Sequence, residues 1–168
     1  MDLADIAEQL ANLPLATAIR TGASWRWLFP TVEATHVVAI STFFGSILLL
    51  DLRLLGLSES GSQVSKYSAE LLPLTWGAFA AAVVTGSLLF TANAPDYVFL
   101  LQFRMKMVFI ALAGLNMAIF HWGPYRRVHD WDAQMPPPSA ARIAGLASIL
   151  CWTTVIVFGR WIGFVKVG

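Results

Sequence analysis

Glu33 and His36 stand three residues apart inside an apolar stretch running from Trp25 to Gly56, and Asp51 and Arg53 close the same stretch. Residues three or four apart share a helix face. Stepping from Glu33 through His36, Ile40, Phe44 and Ile47 to Asp51 therefore puts both acids and the histidine on one stripe. A charge near mid-membrane costs about 3 kcal/mol even on insertion scales, so that stripe is expected to face protein rather than lipid. A neutral imidazole in such a place can ligate a haem iron, accept a proton or hydrogen-bond across helices. Arg104 and Lys106 lie in a later apolar run and Arg160 near the end of the last one. Glu33, His36, Arg104, Lys106 and Arg160 form the candidate cofactor-binding set, with His36 the candidate ligand to a haem iron.

Composition says what must position these groups. Of 168 residues 57% are hydrophobic and only 12% charged, against about 25% charged in soluble domains, and the mean hydropathy is +0.66. An integral membrane protein of one domain, 1–168, follows. The net charge of +1 gives no electrostatic case for nucleic acid, and a single cysteine, Cys151, excludes an intrachain disulfide framework or multi-cysteine metal site. The opening Met-Asp-Leu-Ala-Asp-Ile-Ala-Glu lacks the basic start of a cleaved secretion signal, so the N-terminus is expected to belong to the mature protein.

Residues 2–12 set Leu3, Ile6, Ala7 and Leu10 against Asp2, Asp5, Glu8 and Gln9, the pattern of a short amphipathic helix lying at the interface. Pro14 is expected to end or kink it. Trp25 and Trp27 mark a water boundary. Four spans are predicted, at about 30–55, 71–91, 97–121 and 140–161. The second carries small residues at four-residue spacing, Gly77, Ala81 and Thr85 and again Ala78, Ala82 and Gly86, which lets helices approach closely in lipid. The loop between spans three and four is polar, and its triple proline, 136–138, is expected to make it stiff and extended. Short connections make an all-α, up-down four-helix bundle the expected fold. Lys66, Arg126 and Arg127, flanked by Arg53 and Arg142, outweigh Arg20, Arg26 and Lys166 on the other side. The positive-inside bias then puts the long loops in the cytoplasm and both termini outside.

In that topology spans one and three run parallel and can be aligned by depth. With Asp51 level with His121, His36 falls beside Lys106, with Met105 and Met107 adjacent, and Glu33 near Arg104 and Arg160. Opposite charges at one depth can compensate one another, as intramembrane ionisable groups usually do. The plainer account is that Arg104 and Lys106 snorkel to the interface and Glu33 satisfies one of them. Haem held between His36 and His121 is excluded, since the two are separated by ~22 Å of helix at 1.5 Å per residue. His36 opposite Met107 or Met105 remains open, with Gly86 leaving room for a ring. Asp51 and Arg53 read as anchors of a helix end, His121 and His129 as solvated loop histidines, and Asn116 as a partner for a neighbouring helix.

The order Trp25, Phe29-Pro30, Glu33-x-x-His36, Asp51-Leu-Arg-Leu-Leu-Gly56, Phe103-Arg-x-Lys106 and Phe120-His121 resembles a family of small uncharacterised bacterial membrane proteins with four spans. It is distantly similar to the copper-resistance membrane protein D and to small cytochrome b proteins. The resemblance implies an inner-membrane bundle, in which termini placed outside by the charge bias would be periplasmic, and it places weight on Glu33, His36 and Lys106.

Two readings of function stay open. One is a redox-associated subunit binding haem b or a quinone and meeting a redox partner protein or a second copy of itself. The other is a non-catalytic accessory, assembly or transport-like bundle. Both describe a subunit or binding protein rather than a stand-alone enzyme.

Overall fold

The computed structural model describes residues 2–21, 27–57, 63–132 and 137–165. Trp25, Arg26 and Lys166, the middle of the loop after span one and the first of the three prolines lie outside the described residues. The protein is all-α, an integral membrane bundle of four long helices: α3 Leu28–Leu55, α4 Val64–Ala92, α6 Leu101–Trp122 and α8 Ser139–Ile162. Each is long and apolar enough to span a bilayer. Large apolar side chains such as Val37, Leu49, Val84, Leu112, Leu146 and Leu150 point outward, where only lipid would spare them exposure to water.

Short helices close the two ends. At one end lie α1 Leu3–Ala11 and α2 Pro14–Thr21, packed against α4 and against α5, Ala94–Val98. Asp2 opens α1 with a reciprocal cap: its carboxylate accepts from Leu3 N at 2.7 Å and Asp5 returns a bond to Asp2 N at 2.8 Å. Ala7 and Ala11 turn to the bundle while Leu3 and Ile6 stay exposed, which suits an interfacial helix. Pro14 does not merely end α1. It begins α2, at the first helical position, where a missing N–H costs nothing.

At the other end the loop between α6 and α8 is helical over residues 124–131, while Pro138, of the triple proline, is extended as expected (φ −53°, ψ 147°). A 3₁₀ turn, Pro124–Arg127, leads into α7, Val128–Trp131. Val128 and Trp131 pack with Leu54, Val64 and Ala141 into a plug, and the Trp131 indole donates to Pro124 O at 3.1 Å. Asp132 then caps α4: Ser65 N donates to its Oδ1 at 2.8 Å, and the Ser65 hydroxyl donates to Oδ2. This cap is why α4 starts at Val64, seven residues before the apolar run that predicted it.

Three seams hold the bundle, α3 against α4, α3 against α8, and α6 against α8. On α4 the row Ala78–Ala82–Gly86 and Thr85 turn inward, whereas Gly77 and Ala81 face outward. The Ser46 and Thr75 hydroxyls meet at 2.9 Å across the α3–α4 seam. Between α3 and α8 the close approach is set by Gly145, where a Cβ would lie 3.1 Å from Asp51 O and 3.2 Å from Leu54 Cβ. Asn116 donates to Ala144 O at 3.0 Å across the α6–α8 seam, the cross-helix bond its position predicts. The fourth side is different: among the described residues the α4 and α6 backbones stay apart, and the two helices meet through the stacked rings of Phe90 and Phe103, 5.0 Å between centroids, near α5.

Burial disfavours ionised Asp132, but the Ser65 bonds and the nearby His129 outweigh it and hold the carboxyl below its ordinary range. A lowered folded pKa gives stability that is complete above the unfolded value, about 4, and lost as pH falls through the folded one. Asp132→Ala should cost about 1 kcal/mol near neutrality, and the gap from wild type should narrow as the pH drops into the acid range. Thermal melts of both proteins across a pH series check this; a pH-independent gap would contradict it.

Candidate functional site

Glu33 is exposed, and its neighbour Val32 is buried. The inward stripe of α3 runs Val32, His36, Ala39, Phe43, Ser46, with Asp51, Arg53 and Leu54 at its foot. One residue is about 100° of helix rotation, so Glu33 falls off the stripe that carries its partner His36. It lies within electrostatic reach of Tyr97 on α5, as does Asp96. Arg104 and Arg160 are also exposed, and the Arg160 guanidinium lies over the Phe164 ring, 4.7 Å from its centroid. Lys106 folds along α8, its Nζ 3.6 Å from the place where a Gly159 Cβ would sit, and it is close enough to act on the His36 ring. The depth alignment of His36 with Lys106 therefore holds. The expected compensation of Glu33 by bases does not: no ion pair joins these groups among the described residues.

His36 turns toward α4. Its Nδ1 lies 2.8 Å from Thr85 Oγ1, and the Thr85 hydroxyl is 2.6 Å from Ala81 O. Since the carbonyl can only accept, the threonine proton goes there, and the imidazole Nδ1–H donates to Thr85. The Nε2 lone pair is then left for another partner. The space beside Gly86 is taken by the His36 ring itself, whose Cε1 lies 2.8 Å from where a Cβ would be. Met107 is 49% exposed and faces outward, and Met105 is half-buried. No group of three or more metal-ligating side chains occurs among the described residues.

The other end of the bundle holds what the residue pattern alone did not single out. Asp51 and Arg53 are not helix-end anchors: they are 4% and 2% exposed. Both line a cavity of about 140 Å³ that draws walls from all four long helices. Its floor is aromatic, with Phe43, Phe79 and Trp152 packed at centroid distances of 4.6–6.2 Å. Its sides are Ile47, Leu72, Ile110 and Met117, and the plug closes its far end through Val64 and Tyr125. His121 lines it too, half-buried rather than solvated, with its Nδ1 donating to Met117 O at 2.9 Å. Ser148 lies beside the Asp51 carboxyl, yet Asp51 Oδ2 is buried with no hydrogen-bond partner among the described residues. Buried polar atoms in that state are uncommon and call for an explanation. The signal in the sequence was the Asp51–Gly56 block itself, where an acid and a base precede a helix-ending glycine in a left-handed conformation.

Residues 21–165 match the model of a family of unknown function, DUF6644. The chain belongs to that family. Neither curated proteins nor solved structures give a match. The DUF6644 segment takes in the four spans, the plug and the cavity, while α1 and nearly all of α2 precede it. Both the His36 pocket and the Asp51 cavity are thus built within the family's segment.

Two predictions come from the His36 end. Gly86→Ala should displace the imidazole and cost about 1–3 kcal/mol, as overpacking does. Gly77→Ala, where a Cβ meets nothing within 4 Å, should be neutral or stabilise by up to about 1 kcal/mol through helix propensity. Equal melting shifts for the two would contradict the packing described. Glu33→Gln and Lys106→Met should be additive to within about 0.5 kcal/mol in a double-mutant cycle; a larger coupling would reveal an ion pair.

Proposed function

We propose that this protein is a membrane-embedded binding subunit for a lipophilic redox molecule, a quinone, held in the cavity above Asp51. The observation that carries the reading is that cavity, with its apolar and aromatic walls, a few polar groups at one end, and a position between α4 and α6 where the two backbones stay apart. Ligand pockets are typically of this make-up. A void of about 150 Å³ takes a benzene-sized ring, so 140 Å³ takes the ring of a quinone head, with its substituents reaching toward α4 and α6. The isoprenoid tail would leave through the α4–α6 gap into lipid. The quinone thus moves from the Glu33–His36 end, where the residue pattern pointed, to the opposite end of the same helix. A redox partner protein would meet the bundle on its flank, and the subunit would pass or store reducing equivalents without performing chemistry of its own.

Exposed Lys66, Arg126, Arg127 and Arg142 at the plug end support a cytoplasmic plug and periplasmic termini in a bacterial inner membrane. The similarity to copper-resistance D and cytochrome b proteins belongs to the same proposal. Haem b on His36 is the second reading. It is favoured by the Nδ1–H bond to Thr85, the kind of orienting bond that ligating histidines have. Arg104, Lys106 or Arg160 would then pair with the propionates and Glu33 would handle a proton or orient the histidine, while Met107 faces outward and any further ligand would come from another chain. A non-catalytic accessory bundle is what remains if neither ligand is found.

Purification from membranes into nanodiscs, followed by solvent extraction and a reduced-minus-oxidised spectrum, tests these readings together. The expected result is co-purifying quinone near one per chain and no Soret band. Gly114→Leu, which fills a wall position where a Cβ meets nothing within 4 Å, should abolish the quinone while leaving the melting temperature within a few degrees. Absence of quinone from the wild-type extract contradicts the proposal, and a Soret band moves it to His36.

A further inference from the structure

Trp122 ends α6 and is 76% exposed. The 22 residues of α6 make ~33 Å of helix at 1.5 Å per residue, close to the ~30 Å of a bilayer's hydrocarbon. With Leu101 at one face, Trp122 stands at the other, at the headgroup boundary an indole prefers. The chain does not run on into water from there. At Gly123 it turns back: Gly123 N donates to Ile119 O at 2.9 Å, and a Cβ would lie 2.9 Å from that same carbonyl. The Pro124–Arg127 turn is then pinned across the end of α6. The Tyr125 ring packs on Phe120 and His121, at centroid distances of 5.6 and 5.2 Å, and Pro124 O accepts from the Trp131 indole. Tyr125 takes the inward place, which leaves Arg126 and Arg127 exposed. Together with Trp122, Gly123 and Pro124 they enclose a shallow recess, and among the described residues no acid lines it. Of the plug's own acids, Asp132 is spent on Ser65 and Asp130 has a partner elsewhere in the chain.

We propose that this recess binds the headgroup phosphodiester of an anionic phospholipid from the surrounding leaflet. Depth, charge and shape each support it. Trp122 sets the recess at the edge of the hydrocarbon, which is where lipid phosphates lie. Two guanidiniums can grip phosphate oxygens in a planar, two-pronged way that a lysine cannot match. The turn that carries them is held by ring packing and by the Trp131 bond, so little ordering remains to be done on binding. The exposed indole offers an apolar side to the glycerol and the first acyl carbons. A zwitterionic headgroup brings a choline cation that the two arginines repel, so the recess selects lipids of net negative charge. The quinone reading is not needed for this inference, which concerns the opposite side of the Tyr125 turn.

The probes are dioleoyl-phosphatidylglycerol and dioleoyl-phosphatidylcholine, titrated onto the full chain in a neutral detergent and read by native mass spectrometry. The wild type is expected to bind its first phosphatidylglycerol at least about tenfold more tightly than phosphatidylcholine. Arg126→Gln combined with Arg127→Gln should bring the two affinities to within about twofold of each other. Lys66→Gln combined with Arg142→Gln removes as much exposed charge from the same end. That pair should keep the ratio within about twofold of the wild type's. An equal fall in both double variants overturns the proposal, because it means diffuse attraction and not a site. A wild-type ratio near one overturns it as well, whatever the variants do. A large excess of inorganic phosphate should leave the phosphatidylglycerol bound; full displacement would give the recess to a free anion and overturn the lipid assignment.

Discussion

Taking a carboxylate out of water costs several kcal/mol, roughly, after relaxation, and the cost is recovered only when its lone pairs find partners. Asp51 is in that position, enclosed at the foot of the first spanning helix beside Ser148, with Oδ2 left bare among the described residues. The surrounding structure keeps it there. Gly145 has no side chain to hold α8 away, so α8 comes close to the α3 backbone at Asp51. The plug reaches this end of the cavity through Val64 and Tyr125. Stability is being given up locally, as is common where a site must be left incomplete for a ligand.

The two ends of the bundle behave differently as a result. At the His36 end polar groups are settled within the chain: imidazole on Thr85, ring in the Gly86 notch, Lys106 laid over Gly159. At the Asp51 end space and an unmet hydrogen bond remain. The difference follows from helix packing. Three seams are closed by small residues and cross-helix bonds, whereas the α4 and α6 backbones stay apart and meet through the Phe90–Phe103 stack at the His36 end, leaving the volume beside Asp51. A bundle sealed on its fourth side would have no way in from the lipid.

Much of this was legible in the residues, and the remainder was hidden for physical reasons. The four spans follow from hydropathy, because backbone groups in lipid must pair within a helix. The bond from Asn116 and the depth match of His36 with Lys106 follow from counting turns. The facing of α3 did not, since steps of three and of four from Glu33 are both allowed and differ by about 100° per residue; Val32 took the inward place, and Glu33 was left outside. The α7 plug was invisible because Val128 and Trp131 sit in a charged, proline-rich stretch, and what orders them is contact with Leu54 and Val64 far along the chain. The early start of α4 had the same origin, a cap supplied by Asp132 across 67 residues. Asp51 and Arg53 looked like anchors because helix ends in membranes usually carry such pairs, and only tertiary packing shows them to be buried.

The central claim is that Asp51 serves a ligand and not the fold. Its most direct test is the stability of ligand-free protein carrying Asp51→Leu, a change that removes the bare oxygen and fills the space with an apolar side chain. Delipidated wild type and variant would be compared by thermal unfolding in the same detergent. A higher midpoint for the variant is the predicted result, since a buried acid lacking a partner is replaced by apolar packing. A midpoint several degrees lower would contradict the account, because it would mean that the carboxylate holds the bundle together.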